Sequence, residues 1–218
     1  MSFLLISSLF PKMSTLLPSF LAQYGGFTYV LLFLLIFIET GIVIFPFLPG
    51  DSLLFLCGSL AAMAGHPLSL PLLWVILIIS AVAGDALNFE IGEHGGHYLT
   101  TQSPLQRFIK PSYLHQSEQF FAKHGKAAIF LGRFMPIIRT FIPFTAGVSK
   151  MHFRSFVSYN IIGAVSWVTI GLGAGYLFGN VPVVKNHFEL IILAVVLVSL
   201  LPAIILALKH KGGAQNED

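Results

Sequence analysis

Charged residues are scarce in this chain of 218 residues: only 10% are Asp, Glu, Lys or Arg, whereas 56% are hydrophobic. A soluble domain carries about a quarter charged residues, and a chain this apolar would expose large apolar patches in water. The mean hydropathy of +0.84 points the same way. We therefore predict an integral membrane protein, because a bilayer is the solvent that accommodates such a surface.

Cysteine is equally rare. The single cysteine, Cys57, excludes a disulfide within the chain, and no Cys/His metal pattern exists, so we expect neither a metal nor a cofactor. The net charge of +3 comes without a stripe of basic and aromatic residues, so nucleic acid is not an expected partner. A cleavable signal peptide is not expected, because the apolar start lacks a basic region and a small-residue cleavage site.

Six apolar runs follow one another along the chain and predict an all-α membrane protein. A spanning helix needs about 20 mainly apolar residues, and four runs are long enough: Phe27–Phe45, Leu70–Gly92, Phe156–Gly179 and Phe188–Leu208. We predict about four transmembrane helices in a single domain, residues 27–211. An interfacial lead-in (1–26) precedes the domain, and a short polar tail (212–218) follows it.

The other two runs are broken. Ser52–Ala64 is too short to span, and it follows a turn that contains Pro46, Pro49 and Gly50. Ala127–Val148 is long enough, but it carries two prolines and two arginines. Proline removes a backbone donor and kinks a helix, and irregular backbone at membrane depth must be buried in protein or line a wet cavity. We interpret both runs as re-entrant hairpins.

The cations support this topology. With two hairpins, the cationic clusters at 107–126, 150–154 and 209–211 all fall on one side, together with Lys12. The positive-inside rule makes that side cytoplasmic and places both termini there. The two hairpins then enter from opposite sides, which is the plan of transporters built from inverted repeats.

Two acidic residues near the first hairpin are candidates for proton coupling. Glu39 lies deep in the first run, where an ionisable residue is a functional candidate by default and loss of water favours a protonated carboxyl. The alternative is an internal tie to an arginine. Asp51 follows Pro49 and Gly50; it suits the N-cap of the next helix and equally a functional carboxyl near the depth of Glu39.

The second hairpin supplies the candidate anion site. Arg133 and Arg139 flank Pro136, and Pro143 follows, so the broken backbone lets both guanidiniums point into one cavity. Arginine suits phosphate and carboxylate because its planar fork binds two oxygens at once. The alternatives are that the arginines only neutralise acids, or extend to the membrane interface.

Asp85, after Gly84 in the third run, is a candidate to join this cavity. His94 and His97 are three residues apart, but without a further ligand at suitable spacing we predict polar surface and no metal site. The tryptophans are interpreted as interface anchors or packing. Glycines at 171, 173, 175 and 179 permit close helix contact, within the chain or in a homodimer.

These residues together resemble the DedA family of bacterial inner-membrane proteins. The resemblance runs from about Ala22 to Lys211, and its strongest parts are Glu39-Thr40-Gly41, PFLPGDSLL (46–54), Gly84-Asp85-Ala86-Leu87-Asn88 and GRFMPIIRTF (132–141). The chain departs from the family pattern after Gly84-Asp85. The family there has a Tyr and then Gly-Arg, whereas this chain has Phe89 and Gly92-Glu93.

The resemblance implies a lipid transporter of the bacterial inner membrane, with undecaprenyl phosphate as the leading substrate and the proton-motive force as the proposed driving force. It also implies that Glu39, Asp51, Arg133 and Arg139 are the essential positions. We expect the arginines to hold the lipid phosphate and the acids to couple protons. The alternatives are a proton-coupled antiporter of small ions or drugs, and a general phospholipid scramblase. We expect no enzyme, because the chain has no His-Glu-x-x-His or Gly-x-Ser-x-Gly motif.

Overall fold

The computed structural model describes residues 25–42, 50–62, 68–101, 111–135 and 138–179, with Val181. Within these ranges all regular structure is helical, which confirms the all-α prediction there. The helices are α1 (Gly25–Gly41), α2 (Gly50–Ala62), α3 (Leu70–Thr101), α4 (Pro111–His124), α5 (Ala127–Gly132), α6 (Phe141–Val148) and α7 (Phe153–Gly179).

Several predicted features lie outside the described residues. They are nearly all of the N-terminal lead-in, Pro46, Pro49, Pro136, the last apolar run Phe188–Leu208 and the polar tail 212–218.

Two of the four predicted spans are long apolar helices. Stretches of 27 residues, Leu70–Gly96 in α3 and Phe153–Gly179 in α7, are long and apolar enough to cross a membrane. Helix α1 has 17 residues, which at about 1.5 Å per residue falls short of a hydrocarbon core of about 30 Å. Length alone therefore supports α3 and α7 as spans but not α1.

The run Ala127–Val148 is divided in two, as its sequence predicts. Helix α5 ends at Gly132, and α6 begins only at Phe141. Pro143 lies in the first turn of α6, where a backbone N–H has no intrahelical partner, so this proline does not interrupt the helix. The two short helices pack against each other, and a Cβ on Gly132 would be 2.7 Å from Cγ1 of Ile142. The backbone between them carries both arginines.

The chain forms two compact units. The larger unit consists of residues 29–48 and 71–170, and the smaller unit consists of residues 1–28, 49–70 and 171–218. The larger unit thus holds most of α1, nearly all of α3, helices α4 to α6 and the first two-thirds of α7. The described part of the smaller unit is mainly α2 and the C-terminal end of α7.

In the larger unit, α1 lies along α3 in the same direction. Ser80 Oγ donates to the backbone oxygen of Phe33 at 2.6 Å, and Asn88 Nδ2 donates to that of Thr40 at 3.1 Å. Residue numbers therefore rise together along the two helices. The predicted topology requires the opposite, because successive spans joined by a hairpin on one side are antiparallel. This part of the predicted topology is therefore wrong for α1 and α3. Their parallel packing follows from a stripe of polar and small residues on α3, Ser80, Gly84 and Asn88, which faces α1.

The rest of the larger unit surrounds a hydrophobic core. Helices α4, α5 and α6 pack on one another, and the core contains Phe89, Ala128, Ile129, Ile138, Ile142, Ala146 and Phe156. One buried polar contact joins α4 to α6, because the hydroxyls of Ser117 and Thr145 are 2.5 Å apart. This core holds the broken segment between α5 and α6 in place.

Helix α6 approaches α3 through a reciprocal pair of glycines. A Cβ on Gly147 would overlap the backbone oxygen of Phe89, and a Cβ on Gly92 would overlap that of Phe144. Each glycine thus faces the carbonyl that lies three residues before the other glycine. Small residues of this kind allow helix backbones to come close together.

The smaller unit contains the same arrangement between α2 and α7. A Cβ on Gly58 would overlap the backbone oxygen of Leu172, and a Cβ on Gly175 would overlap that of Phe55. Again each glycine faces the carbonyl three residues before its counterpart. The predicted close contact therefore occurs at Gly175, although Gly173 faces open space. In this packing, α2 of the smaller unit takes the role that α6 has in the larger unit, and α7 takes the role of α3.

Candidate functional site

A small cavity in the larger unit collects four of the five predicted charged site residues. Its lining consists of Glu39, Thr40, Asp85, Arg133, Arg139, Thr140 and Trp167. The space open to the centre of a water molecule is about 20 Å³, which holds about one water. The site is therefore a small pocket with four charged side chains in its lining, inside an otherwise apolar unit.

Arg133 is buried and paired with Asp85. Its guanidinium donates to Asp85 Oδ2, and also to Asn160 Oδ1 at 2.5 Å. The side chains of Arg133 and Asp85 are only 6% and 9% exposed. Asn160 Nδ2 donates in turn to the backbone oxygen of Val82 at 3.1 Å, which fixes the amide so that its oxygen faces the arginine. Helices α3 and α7 therefore hold Arg133 from two sides.

Arg139 forms the second ion pair. Its guanidinium donates to Oε1 of Glu39, whose side chain is 1% exposed. The cavity therefore contains two arginines and two carboxylates, and their formal charges cancel. A buried charge that lost its partner would remain with a large desolvation penalty, so each pair depends on both members.

Trp167 connects the two pairs. The guanidinium carbons of Arg133 and Arg139 are 5.7 Å and 5.6 Å from the centre of the indole ring. Both distances are within the range of a cation–π interaction, about 6 Å. One aromatic ring thus faces both cations and holds two like charges in a single pocket.

The backbone around the cavity explains how these side chains meet. Gly84 lets α1 and α3 approach, because a Cβ there would overlap Oγ1 of Thr40, and Asp85 is the next residue. Asn88 Nδ2 donates to the backbone oxygens of both Thr40 and Thr140, at 3.1 Å and 2.7 Å. This one amide therefore ties α1, which carries Glu39, to the start of α6, just after Arg139.

The structure unites four of the predicted charged residues and locates a fifth elsewhere. Glu39, Asp85, Arg133 and Arg139 share the cavity. Asp51 belongs to the smaller unit, where it is exposed in the first turn of α2, a position in which a carboxylate interacts well with the helix dipole.

Sequence reasoning missed Asn160 and Trp167 as site residues, because Trp167 was interpreted as an anchor or as packing. A signal for both was present. They are seven residues apart on a long apolar helix, which places them on one face, two turns from each other. Gly163 lies between them on that face, and a Cβ there would come within 3.4 Å of Arg133 Nε. A polar residue, a glycine and a tryptophan at this spacing mark a face that receives a large side chain.

A second group of ionisable residues lies farther along α3. Glu90, Glu93 and His94 each offer one atom that could bind a metal ion, and these three atoms lie within 4.8 Å of one another. His94 Nδ1 lies 3.3 Å from Oε2 of Glu90, and both side chains are largely exposed. Lys150 Nζ donates to the backbone oxygen of Glu93 at 2.8 Å. This part of α3 includes Glu93, where the chain departs from the DedA pattern.

Comparison with known proteins identifies the family of this chain. The VTT domain family matches residues 48–177. Protein DedA of Escherichia coli (strain K12) is 44% identical over 198 residues, which cover 91% of this chain and 90% of that protein. Inner membrane protein YqjA of the same strain is 34% identical over 165 residues, covering 74% of this chain and 72% of YqjA. An uncharacterized membrane protein of Mycobacterium tuberculosis is 44% identical over 183 residues, with 84% and 80% covered.

The chain therefore belongs to the VTT-domain, or DedA, family of membrane proteins. No solved structure shows significant similarity to it.

Proposed function

We propose that this protein carries a phosphate-bearing lipid, with undecaprenyl phosphate as the leading candidate, across the bacterial inner membrane in a proton-coupled manner. The observation that carries the proposal is the pair of buried arginines that face one cavity, each held by a carboxylate. Arginine forks match phosphate oxygens as well as carboxylate oxygens. A phosphate can thus replace the acids as the partner of the arginines.

Protons supply the exchange mechanism. A protonated carboxyl no longer neutralises an arginine, so protonation of Glu39 weakens its pairing with Arg139 and favours an incoming phosphate. Loss of that proton restores the ion pair and expels the phosphate. The polyprenyl or acyl tail remains in the bilayer throughout, because only the headgroup needs a polar environment.

Two re-entrant hairpins remain our proposal for the membrane arrangement, but the first is revised. If α1 and α3 both spanned in the same direction, α2 would have to return across the membrane. Its 13 residues are about 20 Å long, less than a core of about 30 Å. We therefore assign α1 as the inward arm of the first hairpin, with the outward arm following the proline-rich break. The equivalent packing of α2 and α6 supports inverted halves.

The cationic segments 107–126 and 150–154 flank the second hairpin. By the positive-inside rule, both segments lie on the cytoplasmic side. The first hairpin then enters from the outer face, and the second enters from the cytoplasm. Because α1 then begins on the outer side, an interfacial lead-in also lies there in this arrangement, which revises the cytoplasmic N-terminus predicted from the sequence.

The test is translocation of undecaprenyl phosphate in proteoliposomes that contain the wild type, Arg133→Ala or Glu39→Gln. Loss of a charge-assisted contact costs roughly 1.5–3 kcal/mol, so we expect transport to fall at least about tenfold in both variants. Arg154→Ala is the matched control, because Arg154 is an exposed arginine in the first turn of α7. Normal transport by folded Arg133→Ala would contradict the proposal.

The size of the cavity favours a second candidate, a proton-coupled antiporter of small ions. A space for about one water suits a small ion better than a lipid headgroup. The two functions separate in vesicles: an antiporter moves protons when only a cation gradient is imposed, whereas a lipid carrier moves protons only when its lipid is present. A general phospholipid scramblase would instead move phosphodiester lipids without any gradient.

A further inference from the structure

Each buried arginine of the cavity has its own carboxylate partner, Asp85 for Arg133 and Glu39 for Arg139. We propose that Asp85 is a second proton-accepting group of the phosphate site. The site then takes up two protons when it binds a phosphomonoester and one proton when it binds a phosphodiester. This inference rests on the proposed phosphate-carrier function and assigns its substrate selectivity. It gives Asp85 a role in proton coupling equal to that of Glu39.

The proton count follows from the charges in the cavity. Two arginines contribute +2 and two carboxylates contribute −2, so the site without substrate has a net charge of zero. A phosphomonoester dianion adds −2, and two protons, one on Asp85 and one on Glu39, restore neutrality. A phosphodiester adds −1 and requires one proton. Uncompensated charge is strongly disfavoured in a pocket whose acidic side chains are 1% and 9% exposed.

Asp85 is surrounded by the groups that this mechanism needs. The charged groups that face it are Arg133 and Arg139 from the segment between α5 and α6, and Glu39 from α1. Helix α7 contributes only the neutral Asn160 and Trp167 to this part of the site. The balance of charge around Asp85 therefore depends on the two arginines and on Glu39, with no further ionisable group among the described lining residues.

The contacts of Arg133 allow Asp85 to exchange its partner. Asn160 is fixed by its bond to the backbone oxygen of Val82 and continues to hold the guanidinium when Asp85 becomes neutral. Trp167 faces the same guanidinium. Arg133 thus keeps its position after the ion pair is lost, and it presents the released donors to phosphate. Because the cavity holds about one water, phosphate enters only when the acids move away from the arginines.

The experiment measures protons taken up with two matched probes, geranyl phosphate and methyl geranyl phosphate, by calorimetry in buffers of different ionisation enthalpy. The protein is reconstituted in nanodiscs, and empty nanodiscs correct for partitioning. Titrations are made at about pH 8, where a phosphomonoester with a second pKa of about 6 is a dianion. Three variants are compared with the wild type: Asp85→Asn, Glu39→Gln and the double variant. Glu90→Gln, an exposed carboxylate on the same helix, is the control.

We expect wild type and Glu90→Gln to take up two protons with the monoester and one with the diester. Each single variant should take up one proton fewer with the monoester, and the double variant none. If Asp85→Asn binds the monoester with an unchanged uptake of two protons, the role of Asp85 is wrong while the phosphate site stands. If folded wild type binds neither probe, the phosphate-carrier function itself is contradicted, and this inference falls with it.

Discussion

Stability of the buried Arg133–Asp85 pair provides the sharpest test of the site's energetics. Removing one member leaves the other charged and 6–9% exposed, and breaking a buried pair costs about 3–5 kcal/mol. That cost corresponds to roughly two to three and a half powers of ten in the unfolding equilibrium, at 1.4 kcal/mol per factor of ten. We expect Asp85→Leu at the lower end of this range, because Asn160 and Trp167 still contact the unpaired Arg133. We expect Arg133→Met at the upper end of the range.

The double variant Asp85→Leu with Arg133→Met should recover most of this loss. Replacing both members of a buried pair by apolar residues of similar size is often neutral or stabilising. The two single costs are therefore expected to be strongly non-additive, which a double-mutant cycle measures directly. Arg154→Met is the control and should stay within about 0.5 kcal/mol of wild type, as exposed substitutions do.

Trp167 offers the assay. In a Trp74→Phe background it is the single tryptophan of the chain, and it is 6% exposed in the same unit as the pair, so its emission reports unfolding of that unit. The emission is followed across an SDS titration in mixed micelles for the wild type, both single variants and the double variant, all in this background. Single variants as stable as wild type, or a double variant that loses the sum of both single costs, would refute the assigned pairing.

Two further predictions concern packing and the aromatic ring. Gly84→Ala should destabilise the protein by about 1–3 kcal/mol, as overpacking does, because its Cβ would overlap Thr40. Gly173→Ala meets nothing within 4 Å and should change stability little in the same Trp167 assay. In a Trp74→Phe background Trp167 is the only tryptophan, and its emission should change when geranyl phosphate replaces the carboxylates beside the guanidiniums that face the ring. Equal effects of the two glycine substitutions, or unchanged emission on saturation, would contradict these predictions.

Part of the site could be predicted because the cost of a charge at membrane depth is a local property. Glu39, Arg133 and Arg139 interrupt apolar runs, and a residue that is expensive there requires a partner. The break between α5 and α6 was also predictable, since Pro136 falls within that stretch of the sequence. The structure differs from the predictions where the geometry depends on helices far apart in the sequence. Helix α1 runs parallel to α3, and the ring of Trp167 faces both arginines.

The sequence by itself determined that this is an α-helical membrane protein with an unusual set of buried charges, because apolar content, run length and proline position act within a single segment. Only the tertiary structure decided which acid pairs with which arginine. That choice depends on Gly84, which sets how close α1 comes to α3, and on Asn88 and Asn160, which fix the helices around the cavity. Ion pairs are long-range contacts, and their partners are chosen by helix packing rather than by spacing along the chain.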